Sequence, residues 1–212
     1  MSATDTPANL PTPDTATRRG PWGEVLHSLL RSGTFLTGLG IVLFWIICAL
    51  FGEHFVPYDP LADDIINALA PPSAEHWFGT DQIGRDVFSR VIVGSRDILT
   101  VAPLATLLAT VAGTALGLLI GYFRGIVDDV ISRVLEAFMA IPVVIIALLA
   151  IVALGTSKIT VIVVIGLSFA PIIARTVRSA VLAERELDYV AAAKLRHEGA
   201  LHTMFVEILP NV

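Results

Sequence analysis

Two stretches of this chain hold residue types and spacings from which chemistry could be built. The first is His76-Trp77-Phe78-Gly79-Thr80-Asp81-Gln82-Ile83-Gly84-Arg85-Asp86-Val87-Phe88-Ser89-Arg90, rich in Gly, Asp and Arg. The second runs from Arg175 to Val212, where charge returns after a long apolar stretch. Neither assembles a catalytic set. The histidines are His27, His54, His76, His197 and His202; the last two stand at i and i+5, and no HExxH pattern occurs. There is no GxSxG elbow, and the glycines do not form a Walker loop. Cys48, the only cysteine, lies in an apolar run and reads as a packing residue, which rules out a disulfide framework or a cysteine metal site. No catalytic residue and no metal site is expected.

In the first stretch the chemistry is positional. Thr80 or Asp81 can cap a helix start. Val87, Phe88, Val91 and Ile92 then give an apolar face to an interfacial helix that feeds the following span. Gly79 and Gly84 allow close turns. Arg85 and Asp86 are neighbours and cannot face each other on one helix, so they pair with other loops or with a partner. Two readings stay open: a clasp near an external docking site, and a brace internal to the fold.

The second stretch is rich in alanine and free of proline until Pro210, so helix is the default. His197-Glu198-Gly199 supplies a break, since glycine readily ends a helix. Beyond it Leu201, Met204, Phe205 and Ile208 fall at i, i+3, i+4 and i+7, one apolar stripe of a short amphipathic helix. Two short helices joined by a turn are expected, over about residues 184–209. On periodicity alone, a loop helix lying on a membrane surface fits equally.

These segments must be positioned by the rest of the chain, and the rest is membrane-like. Of 212 residues 55% are hydrophobic and 16% charged, with a mean hydropathy of +0.77; a soluble domain carries about a quarter charged. Charge is absent from residues 32–52, 98–123, 137–157 and 159–174. Each of the first three can cross a ~30 Å hydrocarbon core. The fourth is short and extends to about Val181 if Arg175 and Arg178 snorkel. The expected fold is all-α, a polytopic transmembrane bundle with four spans: residues 31–52, about Ile98–Tyr122, about Val134–Leu154, and one beginning at Ile159. Residues 1–30 are expected to be a disordered tail, and residues 53–97 a polar segment on the far side of the membrane. Gly113, Gly117 and Gly121 make small-xxx-small steps that let another helix approach.

Lys and Arg counts set the orientation. With the N-terminus in the cytoplasm, ten lie inside and four (Arg85, Arg90, Arg96, Lys158) outside. The net charge of −5 gives no sign of a nucleic-acid surface. Glu136 is the carboxylate nearest a span centre, close enough to the third helix's end to reach the interface. Pro103, Pro142 and Pro171 free carbonyls inside spans, and Phe138, Met139 and Pro142 are candidate walls of a translocation path.

Tyr189-Val190-Ala191-Ala192-Ala193 followed by Leu209-Pro210 resembles the "EAA" loop of ABC importer membrane subunits, whose coupling helices dock on an ATP-hydrolysing subunit. Ala191 stands where the pattern has glutamate, and His197 where it has glycine, with Gly199 two residues on. The string Gly79-Thr80-Asp81-x-x-Gly84-Arg85-Asp86-x-x-Ser89-Arg90 resembles the C-type membrane subunits of dipeptide and oligopeptide permeases. That family continues with two further spans, so a truncated subunit is expected. The resemblance implies a permease subunit that moves short peptides across the bacterial cytoplasmic membrane by alternating access. It implies as partners a homologous B-type permease subunit, two ATP-binding cassette subunits that hold ATP and Mg, and an extracytoplasmic substrate-binding protein; this chain itself would carry no cofactor. Tyr189, Ala191, Ala192, Ala193, His197, Glu198, Gly199, Leu209 and Pro210 would then couple to the ATPase. The alternatives are a nickel or other small-solute importer and a non-transporting membrane scaffold.

Overall fold

Inside a bilayer, backbone groups can be satisfied only within the protein, which makes helices the default for long apolar runs. The computed structural model describes residues 21–212, and the tail expected over residues 1–20 lies outside the described residues. Residues 21–30, also assigned to that tail, are instead helical: α1 spans Pro21–Arg31. Val25, Leu26, Leu29 and Leu30 recur there at helical spacing. A single residue, Ser32, separates α1 from α2 (Gly33–Phe55); its hydroxyl accepts from the Phe35 N–H at 3.4 Å.

α3 runs from Val87 to Phe123 as one helix of 37 residues, about 55 Å at 1.5 Å per residue. The separate interfacial helix expected before the second span is therefore not formed; its residues are the first turns of α3. Within the 56–86 segment the helical piece is a 3₁₀ turn, Ile65–Asn67.

The third apolar run is not one rod. α4 (Ile126–Met139) and α5 (Val143–Leu154) are bent by 84° at the break between them. Pro142 lacks an amide donor and disfavours helix in the residue before it, so the expected continuous span over Val134–Leu154 divides there. α6 (Lys158–Glu184) starts at a Ser157 cap, passes through Pro171 and Arg175 without a break, and covers 27 residues. Among the described residues, α2, α3 and α6 are long and apolar enough to cross a membrane, and the bent pair α4–α5 makes a fourth if it counts as one span. The outward faces are apolar, with Phe44, Leu107, Leu148 and Val152 all more than half exposed, as lipid or neighbouring helices require.

One seam holds the bundle. Ala105, Ala109, Gly113, Gly117 and Gly121 form an unbroken every-fourth-residue stripe on α3, buried throughout. Opposite it α6 presents Ala170, Ala174, Val177 and Val181. A Cβ on Gly113 would sit 2.6 Å from the Ala170 carbonyl oxygen, and one on Gly117 would sit 2.7 Å from that of Ala174. Backbones this close gain dispersion contacts that bulkier side chains would prevent.

Candidate functional site

The two motif-bearing segments close opposite ends of the α3–α6 seam. At one end lie residues 56–86 and the α5–α6 turn, and there ion pairs join Arg96 of α3 to Glu53 of α2 and Lys158 of α6 to Asp97 of α3. At the other end lie the α3–α4 junction and the elbow after α6, tied by Arg124 and Glu186 at 2.9 Å.

In the first segment the backbone folds on itself around its glycines. Gly84 has φ +80 and Gly79 φ +72; a Cβ on Gly84 would lie 1.6 Å from the Asp64 carbonyl oxygen, and one on Gly79 2.5 Å from that of Ala70. Only glycine permits both the dihedral and the approach. Thr80 is buried, accepts from the Ala70 N–H at 2.8 Å and donates to the Asn67 carbonyl. Asp81 does not cap a helix. Its Oδ1 accepts from the Ile83 and Arg85 N–H groups, both at 3.0 Å, and its Oδ2 pairs with Arg90. Arg85 reaches back 22 residues to Asp63, Nε to Oδ1 at 2.6 Å.

The cap of α3 is Asp86, not Thr80 or Asp81. Its Oδ2 accepts from the Ser89 N–H at 2.8 Å and the Ser89 hydroxyl at 2.7 Å. Its Oδ1 lies 3.0 Å from His76 Nδ1, and Tyr58 packs on the His76 ring at 4.7 Å. Burial alone pushes the Asp86 carboxyl up, but the bonds from Ser89 and His76 together outweigh it and hold it below the ordinary aspartate range. For Asp81, too, burial pushes up, and the two N–H donors with Arg90 and Arg85 prevail. Gly79, Thr80, Asp81, Gly84, Arg85, Asp86, Ser89 and Arg90 are thus brought together, and their polar groups find partners inside the segment.

The elbow begins where α6 ends. α7 covers Asp188–Leu195; α8 (Ala200–His202) runs on through a π turn, Thr203–Ile208, and a 3₁₀ turn, Leu209–Asn211. Val190, Met204 and Ile208 form a buried cluster with Leu118 of α3 and Val181 of α6, flanked by Tyr122, Val177, Tyr189 and Leu209. Ala193 and Thr203 are fully buried beside them. The Tyr189 hydroxyl donates to Glu184 Oε2 at 2.6 Å and accepts from Asn211 Nδ2 at 3.3 Å, which fastens both ends of the elbow to one point. That bond to Glu184, with burial, raises the phenol above its usual value.

Two expectations about the elbow change. The break is made by His197, which adopts φ +56, while Gly199 has an ordinary φ of −63 and precedes α8. The left-handed residue thus falls at the position where the resembling loops carry glycine. Nor do Leu201, Met204, Phe205 and Ile208 share a face. The π turn widens the helix by i→i+5 bonding, so that Met204 and Ile208 are buried while Leu201 is 68% and Phe205 49% exposed. With Leu195 and Val206 they leave an apolar outer surface. Ala191 and Pro210 also face outward, Ala192 is half-buried, and Glu198 pairs with Arg196 at 2.7 Å. Glu198, His202 and Glu207 offer ligand atoms within 4.8 Å of one another, but Arg196 already pairs with both glutamates. The arrangement is an elbow packed onto two long helices, with apolar side chains outward.

Sequence reasoning missed two polar ties. Arg178 of α6 grips Asp128 of α4 with both nitrogens, at 2.7 and 2.6 Å. Arg185 donates to the Tyr122 carbonyl at 2.6 Å and the Gly121 carbonyl at 3.3 Å, covering the open C-terminus of α3. The available signal was an arginine and an aspartate, each at the edge of an apolar run. Of the candidate path residues, Met139 lines a polar cavity between α4 and α6, whereas Phe138 and Pro142 stand outside it. Glu136 is exposed and pairs with Arg133 at 3.8 Å.

Comparison with known proteins matches residues 113–212 to the binding-protein-dependent transport system inner membrane component family, and residues 20–72 to the N-terminal TM domain of oligopeptide transport permease C. The chain is 35% identical over 208 residues to the dipeptide transport system permease protein DppC of Alkalihalophilus pseudofirmus, covering 98% of this chain and 68% of that one. It is 30% identical to the oligopeptide transport system permease protein OppC of Bacillus subtilis, over 90% of this chain and 62% of that one. It is 32% identical to the glutathione transport system permease protein GsiD of Pectobacterium atrosepticum, over 96% and 68%.

Proposed function

We propose that this chain, which belongs to the dipeptide and oligopeptide ABC permease family as a C-type membrane subunit, supplies half of a peptide-importing pore and takes its motion from an ATPase outside the membrane. The family is one of multi-pass transport subunits rather than enzymes. ATP and Mg would be held by two cassette subunits, with a homologous B-type permease completing the pore and a binding protein delivering the cargo. The observation that carries the reading is the elbow: its inner face is locked to α3 and α6 and its outer face is apolar and uncovered.

That geometry transmits force. A partner that grips Leu195, Leu201 and Phe205 differently in its two nucleotide states would tilt the seam, and a state-dependent grip is what any conformational drive requires. The positive charge near the elbow supports a cytoplasmic position for it, with the N-terminus on the same side and the 56–86 segment outside. Met139, with Phe138 and Pro142 on the flexed side of the bundle, would lie along the path.

The test is reconstitution of the assembled transporter with its binding protein in proteoliposomes. Peptide-stimulated ATP hydrolysis and peptide uptake are expected. Hydrolysis indifferent to peptide, or an elbow accessible only from the compartment opposite the ATPase, overturns the proposal.

A further inference from the structure

A cavity of about 420 Å³ opens between α4 and α6, walled by Asp129, Ser132, Glu136 and Met139 on one side and Arg175 and Arg178 on the other. Ionisable groups beside membrane spans face protein or water rather than lipid, and a volume in this range suits a small molecule. The charges in the wall are not equally engaged. Arg178 is spent on Asp128, whose carboxylate also accepts from the Ser132 hydroxyl at 3.0 Å. Arg133 holds Glu136 loosely, at 3.8 Å.

Arg175 differs. Among the described residues its guanidinium forms no ion pair; its Nη2 rests 3.7 Å from the Met139 sulfur, and the side chain is exposed. It is the first charge after sixteen apolar or neutral residues of α6. Across the cavity Asp129 forms no ion pair among the described residues, though its charge acts on Arg178, so the cavity sets an unpaired cation opposite an acid that no cation holds in direct contact.

We propose that this cavity binds the two ends of a zwitterionic short peptide, Arg175 taking the terminal carboxylate and Asp129 or Glu136 the terminal ammonium. The assignment rests on the peptide-import reading above. A guanidinium offers a carboxylate two parallel N–H donors, a geometry that an ammonium group lacks. The facing acids disfavour a purely anionic guest and favour one that carries both charges. A phosphatidylethanolamine headgroup presents the same pair of charges, and the experiment separates the two sources.

The assembled transporter is prepared with Cys48→Ala and Ser132→Cys, which places one thiol of this chain in the cavity wall, and is reconstituted with or without phosphatidylethanolamine. Labelling by a cationic methanethiosulfonate is timed in the presence of dialanine or of its C-terminal amide. Dialanine is expected to slow labelling severalfold and the amide far less. Arg175→Gln is expected to remove the protection, and Arg175→Lys to restore part of it. Equal protection by the amide, protection that survives Arg175→Gln, or a thiol that never labels overturns the proposal. Labelling that responds to phosphatidylethanolamine but not to dialanine overturns it too, in favour of lipid. The functional reading fails separately: a transporter that shows protection yet accumulates no peptide keeps the site and loses the import role, and one that imports peptide without protection does the reverse.

Discussion

The segment around Gly79–Arg90 and the elbow around Tyr189–Pro210 carry the two sequence motifs of this chain, and they spend their residues in opposite ways. In the former nearly every polar group is consumed within the segment: Arg85 by Asp63, Asp81 by Arg90, Asp86 by Ser89 and His76. This favours the internal brace over a clasp that reaches for a partner. In the elbow the inner face is consumed and the outer face is left apolar and open. What a motif leaves unused, rather than its polarity, indicates whether something else is meant to touch it.

The contrast can be broken in four places. The largest effect is expected from Gly84→Ala, which forces a Cβ into the Asp64 carbonyl at a positive φ; about 3 kcal/mol of local stability should be lost, seen as rapid proteolysis between Phe55 and Val87. Asp86→Ala removes the α3 cap and should cost about 1–2 kcal/mol, read as a lower Tm. The same carboxylate predicts an acid limit. Its pKa is depressed on folding, so its contribution is complete above the unfolded value of about 3.9 and fades as pH falls through the lower folded value. A wild-type acid melting profile that matches that of Asp86→Ala contradicts this.

A smaller change of opposite sign is expected at the elbow. His197→Gly relieves a left-handed histidine and should stabilise by about 1 kcal/mol, again as a shift in Tm. Leu201→Ser with Phe205→Ser should leave stability within about 0.5 kcal/mol, as exposed sites do, yet reduce co-purifying ATPase about tenfold if they act as an anchor at the interface. Unchanged co-purification would make the outer face as inert as the brace.

Much of the bundle was legible because a bilayer tolerates little else: charge-free runs of spanning length must be helical, and Gly113, Gly117 and Gly121 at four-residue spacing announce a close neighbour. The bend at Pro142 was not legible, since an uncharged run reads the same whether straight or folded, and proline inside a span is ordinary. The cap was ambiguous because Thr80, Asp81 and Asp86 all qualify chemically; the first two are taken instead by Ala70 and Asn67 and by Ile83, Arg85 and Arg90. The apolar stripe of the last helix was misjudged because a π turn changes the period from within. The role of His197 was hidden by Gly199, which carries the usual sign of a left-handed residue without adopting the conformation.

The grip of Arg185 on the Gly121 and Tyr122 carbonyls has a mechanical corollary. With the end of α6 tied to the end of α3, and close backbone approach along the seam, a push on the elbow by the proposed partner would pass to both rods together. On the proposed drive they would swing as one beam, with the articulation left to the bent joint at Ala140–Pro142 and to the single-residue link at Ser32.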